Sequence, residues 1–182
     1  PARLFGAEVG QATPVALTLV SHAFLHGGLL HLASNMLGLW ICGDDVERRV
    51  GARGFVAAYL VFAVGAALAE ALAEPDFAGP MVGASGAVAG LFGTYLVIRP
   101  RAVIRVALGF LVIWRTIRLP AWLVISAWAG AQALALGETA ATEGGATVAY
   151  VAHLAGFGMG LILGAGLRAA GLGPLRRPGP WG

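Results

Sequence analysis

The chain has 182 residues, of which 58% are hydrophobic and only 12% charged, far more apolar than a soluble domain of this length. Its 12 basic residues are all arginine, and against 9 acidic ones they leave a net charge of +3, too dispersed for a nucleic-acid surface. The single cysteine, Cys42, lies in an apolar run and has no partner for an internal disulfide or a metal cluster.

Residues 1–24 do not open with a charged stretch followed by an apolar run, so insertion is expected to be directed by the later spans. Apolar stretches at 25–43, 55–72, 85–98, 121–136 and 147–167 predict five transmembrane helices. A further apolar stretch, 102–114, contains Arg105 and falls short of the roughly 20 residues that a span needs, so it reads as an interfacial segment. The expected fold class is therefore all-α, a polytopic transmembrane helical bundle.

Arginine placement supports this order, because positive residues collect in short cytoplasmic loops. Arg48, Arg49 and Arg53 follow the first span, and Arg99, Arg101, Arg105, Arg115 and Arg118 follow the third. The intervening loops hold acids only, Glu74 and Asp76 in one and Glu138 and Glu143 in the other, while Arg168, Arg176 and Arg177 follow the fifth span. The alternation puts the C-terminus in the cytoplasm and residues 1–24 outside. Gly156, Gly160 and Gly164 recur at helical spacing, where small residues let two backbones approach closely. Pro174, Pro178 and Pro180 mark a flexible tail.

Polar side chains inside a membrane are costly, so each is a functional candidate. His26, His31, Ser34 and Asn35 fall in the outer half of the first span, Ser85 opens the third, Gln132 lies in the fourth and His153 near the outer end of the fifth. A helix over 85–98 would be ~21 Å long at 1.5 Å per residue, against a hydrocarbon core of ~30 Å, so its outer end is submerged. His153, six residues into its span, sits ~9 Å down by the same rise. The two depths agree. Gly83-Ala84-Ser85-Gly86 sets a serine at the first turn of a helix, where free backbone N–H groups favour developing negative charge. His31 and Asn35, four apart, share a helix face and offer two donors to one point. With the Ser85 N–H they would form an oxyanion hole, and His153 would take the Ser85 proton. No carboxylate is expected at this depth to orient His153, which makes the arrangement a Ser-His dyad.

Three motifs carry a family resemblance. His26-Gly27-Gly28-Leu29-Leu30-His31-Leu32-Ala33-Ser34-Asn35 is similar to an H-x4-H-x3-N segment, Gly83-Ala84-Ser85-Gly86 to G-x-S-G, and Ala152-His153-Leu154-Ala155-Gly156 to A-H-x-x-G. In this order and separation they resemble the rhomboid intramembrane serine proteases, and Glu47, Arg49 and Gly51 resemble the family's E-x-R-x-G at the cytoplasmic edge. The resemblance implies a serine-type endopeptidase with Ser85 as nucleophile, His153 as base and His31 and Asn35 as oxyanion stabilisers. His26, Gly83 and Gly86 are structural neighbours of that site. It also implies six core helices, of which five are present here, so residues 1–24 correspond to the end of the first outer loop, 25–168 to the transmembrane core and 169–182 to a flexible cytoplasmic tail. Ala89 stands where some relatives carry a tyrosine that stacks on the catalytic histidine. The implied substrates are transmembrane proteins, with no cofactor, no metal and no nucleic acid, in the lipid bilayer of a bacterial inner membrane. Assembly into homo-oligomers is left open. The alternative is an inactive rhomboid-like protein that binds membrane clients, disfavoured by the presence of Ser85, His153, His31 and Asn35 together.

Other readings are weaker. His22, His26 and His31 lack an acidic companion at ligand spacing and there is no H-E-x-x-H; His22 and His26 are expected to hold the outer loop by hydrogen bonds. Gly43-Asp44 lacks the first glycine of an aspartyl-protease motif, and Asp44 and Asp45 are read as solvated groups at a helix end. Trp114, Trp122 and Trp128 are expected to be interface anchors and packing residues, and the family resemblance, which makes this helix a lateral gate, implies that Trp128 and Gln132 border substrate entry.

Overall fold

The computed structural model describes residues 15–75, 81–110, 113–141 and 148–172. In chain order it contains α1 (Val15–Ser21), a 3-10 turn (His22–Phe24), α2 (Leu29–Ala73), α3 (Ser85–Ile98), β1 (Val103–Phe110), β2 (Ile113–Pro120), α4 (Ala121–Ala141) and α5 (Tyr150–Ala169). α2 is two helices joined at a kink, since Gly51 has φ 74° and ψ 163°. Only glycine adopts that conformation without strain. Its arms, 29–50 and 52–73, are each ~33 Å long at 1.5 Å per residue, and they carry the first two expected spans. α3, α4 and α5 carry the other three. α2 and α5 are long and apolar enough to cross a membrane, and α3 is a shorter apolar helix. Large side chains such as Leu30, Trp40, Val61, Leu134 and Ile162 are exposed around the bundle, as a lipid-facing surface requires. The expected 169–182 tail lies mostly outside the described residues.

α3 occupies the centre, with Gly86, Ala87, Val88, Ala89, Gly90, Leu91, Gly93, Thr94, Tyr95 and Ile98 all buried. Its most extensive packing is against α5, followed by α2. The register is set by small residues: a Cβ on Gly156 would strike the Gly86 carbonyl, one on Gly160 the Gly90 carbonyl, and one on Gly164 the Thr94 carbonyl and the Val97 side chain. The expected close approach at these three glycines is present. Thr94 Oγ1 lies 2.9 Å from the Gly90 oxygen and 3.1 Å from the Gly160 oxygen, adding a polar tie at the contact.

The 102–114 segment does not cross the bundle. It forms most of an antiparallel hairpin that runs on to Pro120, with register Val103↔Pro120 through Phe110↔Ile113. Its β-branched residues, Val103, Ile104, Val106, Thr116 and Ile117, suit a pleated surface, and a short apolar run does not by its period distinguish strand from helix. The hairpin base is closed where Ala121 N–H donates to the Ala102 oxygen at 2.7 Å and Trp122 N–H to the Pro100 oxygen at 2.9 Å. Ile104 is buried with Ile98, Ala121 and Ile125, whereas Arg105 and Arg118, which face each other across the strands, are exposed.

The reading of Asp44 and Asp45 holds for only one of them. Asp44 is exposed and pairs with Arg48 at 2.8 Å. Asp45 is buried, 3.4 Å from Arg99 Nε at the far end of α3. Two adjacent helical residues point about 100° apart, so one acid can meet water while the next faces the bundle.

A methyl group at Gly160 has no room against backbone, so Gly160→Ala should destabilise the fold by about 1–3 kcal/mol. Gly158→Ala on the same helix, with nothing within 4 Å, should be near neutral. Far-UV circular dichroism during SDS titration in detergent measures both; equal stabilities would contradict the assigned contact.

Candidate active site

Ser85 is the first residue of α3, and the preceding Ala84 contributes no side-chain cap. The first turn therefore keeps its N–H groups available. Gly83 has φ 124°, a conformation open to glycine, and its N–H donates to the His22 carbonyl at 2.9 Å, pinning the loop to the 3-10 turn. A Cβ at Gly83 would come within 2.7 Å of His31 Cε1 and Nε2 and 3.6 Å of Ser85 Oγ. The His31 ring and the Ser85 hydroxyl thus flank one glycine.

His31 sits in the first turn of α2, where Gly27 N–H approaches its Nδ1 at 3.4 Å. With Nδ1 as acceptor, the proton resides on Nε2, the nitrogen that faces Gly83. Asn35 is buried one turn later and donates one N–H of its amide to the His31 carbonyl at 2.9 Å, leaving the second N–H. Ser34 Oγ donates to the same carbonyl at 2.9 Å. His26 stacks edge-on against His31 with ring centroids 5.3 Å apart. Gly86 lies against Ala66 of α2 and the Ala152 carbonyl of α5, close packing that a side chain would prevent.

His153 lies in the first turn of α5. Its Nδ1 is 2.7 Å from Gln132 Oε1 of α4. The Trp128 ring, one turn before Gln132, lies 6.0 Å from the imidazole, and Tyr150 meets it edge-on at 6.5 Å. Trp128 also packs on Phe92 at 5.1 Å. Ser85, His153, His31 and Asn35 all border one cavity of about 520 Å³, together with Ser34 and Trp128 and an apolar lining that includes Val82, Val88 and Phe92. A polar corner set into an otherwise apolar cleft suits an extended apolar peptide with one reacting bond.

Two contributors escaped the sequence reading. Glu70, the one acid within the five expected spans, accepts the Ala152 N–H at 2.7 Å and so holds the backbone beside His153 at the start of α5. A carboxylate is therefore present near this depth, bonded to the main chain and not to the imidazole. Its signal was available, since an intramembrane acid is a functional candidate. The other is the main-chain carbonyl of His22, a residue expected to act through its ring alone. The ring is buried beside the backbone of Leu19, Ala63 and Gly83, and the His22 carbonyl ties the loop by accepting the Gly83 N–H.

A family model described as Rhomboid domain matches residues 14–170. The chain is 35% identical over 158 residues to Rhomboid-like protein 11, chloroplastic, of Arabidopsis thaliana, covering 82% of this chain and 52% of that protein. It is 38% identical over 78 residues to rhomboid protease GluP of Bacillus subtilis, covering 43% and 15% of the two chains. Rhomboid protease GlpG of Klebsiella pneumoniae is 39% identical over 74 residues, covering 40% and 25%. This chain thus spans about half or less of the length of these relatives.

Burial pushes the His22 pKa below its ordinary 6.5. For a base whose folded pKa is lowered, the unfolded chain takes up the proton first, so stability is full above 6.5 and declines as pH falls toward the folded value. Thermal unfolding in detergent should therefore show a midpoint that drops across this window in the wild type and drops less in His22→Gln. Identical pH dependence in both would assign the effect to other groups.

Proposed function

The chain belongs to the rhomboid family, and on that premise we propose that it is an intramembrane serine endopeptidase that cleaves transmembrane segments through a Ser85–His153 dyad. The observation that carries this reading is the shared cavity, whose lining holds a serine at an uncapped helix start together with His153, His31 and Asn35. Ser85 Oγ attacks the scissile carbonyl carbon while its proton passes to His153 Nε2. The resulting oxyanion accepts hydrogen bonds from the Ser85 N–H, His31 Nε2–H and the second N–H of the Asn35 amide. Collapse expels the amine, which takes the proton from His153, and leaves an acyl-Ser85 ester. Water activated by the same histidine then hydrolyses the ester and regenerates the hydroxyl.

The substrates in this reading are membrane-embedded proteins whose helices unwind locally, because a peptide bond inside an intact helix has no exposed carbonyl face. The arginine asymmetry between loops supports an orientation with the C-terminus in the cytoplasm and the site toward the outer face.

Labelling by a fluorophosphonate probe in detergent tests the reading directly. The wild type should label, Ser85→Ala and His153→Ala should not, and His31→Ala or Asn35→Ala should cut the rate of peptide cleavage by about 10²–10³. A folded wild type that labels no faster than Ser85→Ala would favour a client-binding protein instead.

A further inference from the structure

Ser85, His31 and Asn35 are accounted for by the reaction, but the geometry that fixes His153 involves a fourth side chain. Gln132 Oε1 lies 2.7 Å from His153 Nδ1. We propose that Gln132 is the positioning residue of the dyad, its amide oxygen accepting the Nδ1 proton and so leaving the Nε2 lone pair free for the Ser85 hydroxyl. The inference rests on the protease reading above.

The argument is one of tautomers. A neutral imidazole carries its proton on one nitrogen only, and the nitrogen that bears it is set by the partner of the other. An amide oxygen only accepts, so the bond at Nδ1 requires Nδ1–H and makes Nε2 the base. The cleft is largely apolar, and in such surroundings a hydrogen bond at Nδ1 selects the tautomer more firmly than it would in open water. The rest of the environment limits ring orientation but not protonation: Trp128 and Tyr150 contact the imidazole through their rings. Glu70 is bound to the Ala152 N–H, so it holds the main chain beside the ring. The serine's own helix offers no ring contact one turn on, because Ala89 is fully buried there and carries no polar group. Gln132 is partly buried on α4, whose face toward α5 presents Trp128 and Gln132 one turn apart, so a single helix delivers both the flat contact and the hydrogen bond. A neutral amide in place of a carboxylate suits this depth. It fixes the tautomer without placing a second charge in the apolar cleft.

Two readouts test the assignment in the full chain in detergent. The first is the nitrogen chemical shifts of ¹⁵N-histidine-labelled protein, with His153 assigned by His153→Ala. The second is the rate of fluorophosphonate labelling against pH. Wild-type His153 should be protonated on Nδ1, and Gln132→Leu, similar in size but without an acceptor, should lose that preference and label about 10- to 100-fold more slowly. Gln132→Glu should restore labelling above the leucine variant. Its acid limb should move to higher pH, since a carboxylate at Nδ1 favours the imidazolium; His31, Glu70 and Tyr150, the other ionisable groups around the ring, are unchanged in all variants. Gln132→Leu labelling at the wild-type rate would overturn the proposal, as would wild-type His153 protonated on Nε2, which is what an amide N–H donating to Nδ1 produces. If the wild type labels no faster than Ser85→Ala yet shows an Nδ1 proton that Gln132→Leu loses, the positioning role stands and the protease reading falls.

Discussion

The close approach of two helix backbones, α3 and α5, is the constraint on which the rest depends. Gly156, Gly160 and Gly164 lie on Gly86, Gly90 and Thr94, so the two helices are locked in register at every turn. Ser85 precedes the first of these contacts by one residue and His153 precedes it by three, so both are placed by a contact that involves neither of them. Van der Waals packing between small residues is a strong organiser in a membrane, where lipid tails give helices no hydrophobic reason to associate. A site built on such a contact tolerates little error, because moving one backbone by a fraction of an ångström changes the separation of the Ser85 and His153 side chains.

Polar ties reinforce this frame where apolar packing has no directional preference. Thr94 links the carbonyls of Gly90 and Gly160 within the lock, Glu70 ties α2 to the start of α5, and the buried Asp45–Arg99 pair joins the first arm of α2 to the last turn of α3. Removing one partner of such a buried pair is far more costly than the pair itself is worth, because it strands a charge. Two of the ties, at Thr94 and at Arg99, bear on the central helix, and the third joins the two helices that flank it.

Much of this was legible in the sequence. Long apolar stretches located the helices, glycines at a spacing of four marked a close helix contact on α5 without naming its partner, and intramembrane polar residues marked the cavity. The missing parts have physical reasons. The hairpin over 103–120 escaped because a short apolar run with β-branched residues fits strand and buried helix alike, and the choice was made by pairing with residues beyond the run. Asp45 looked solvated because the sequence places it beside Asp44, and only the partner on another helix shows that it faces inward. Gln132 was visible as a polar residue in a span, but its bond to His153 depends on how α4 is rotated against α5. No pattern internal to α4 encodes that. Gly51 was visible as part of a motif, yet its left-handed φ, which turns one long helix into two spans, belongs to the backbone.

On the proposed protease reading, Gly83 leaves a narrow margin between activity and its loss. Its Cβ-less backbone leaves the space that the His31 ring fills beside the Ser85 hydroxyl, and its positive φ is one that other residues resist. In that reading, a single added carbon there would press on the His31 ring while leaving Ser85 and His153 themselves unchanged. Descendants of such a chain can therefore lose chemistry without losing either member of the dyad. In sorting a lineage into enzymes and non-enzymes, the residue two positions before the serine is then as informative as the serine.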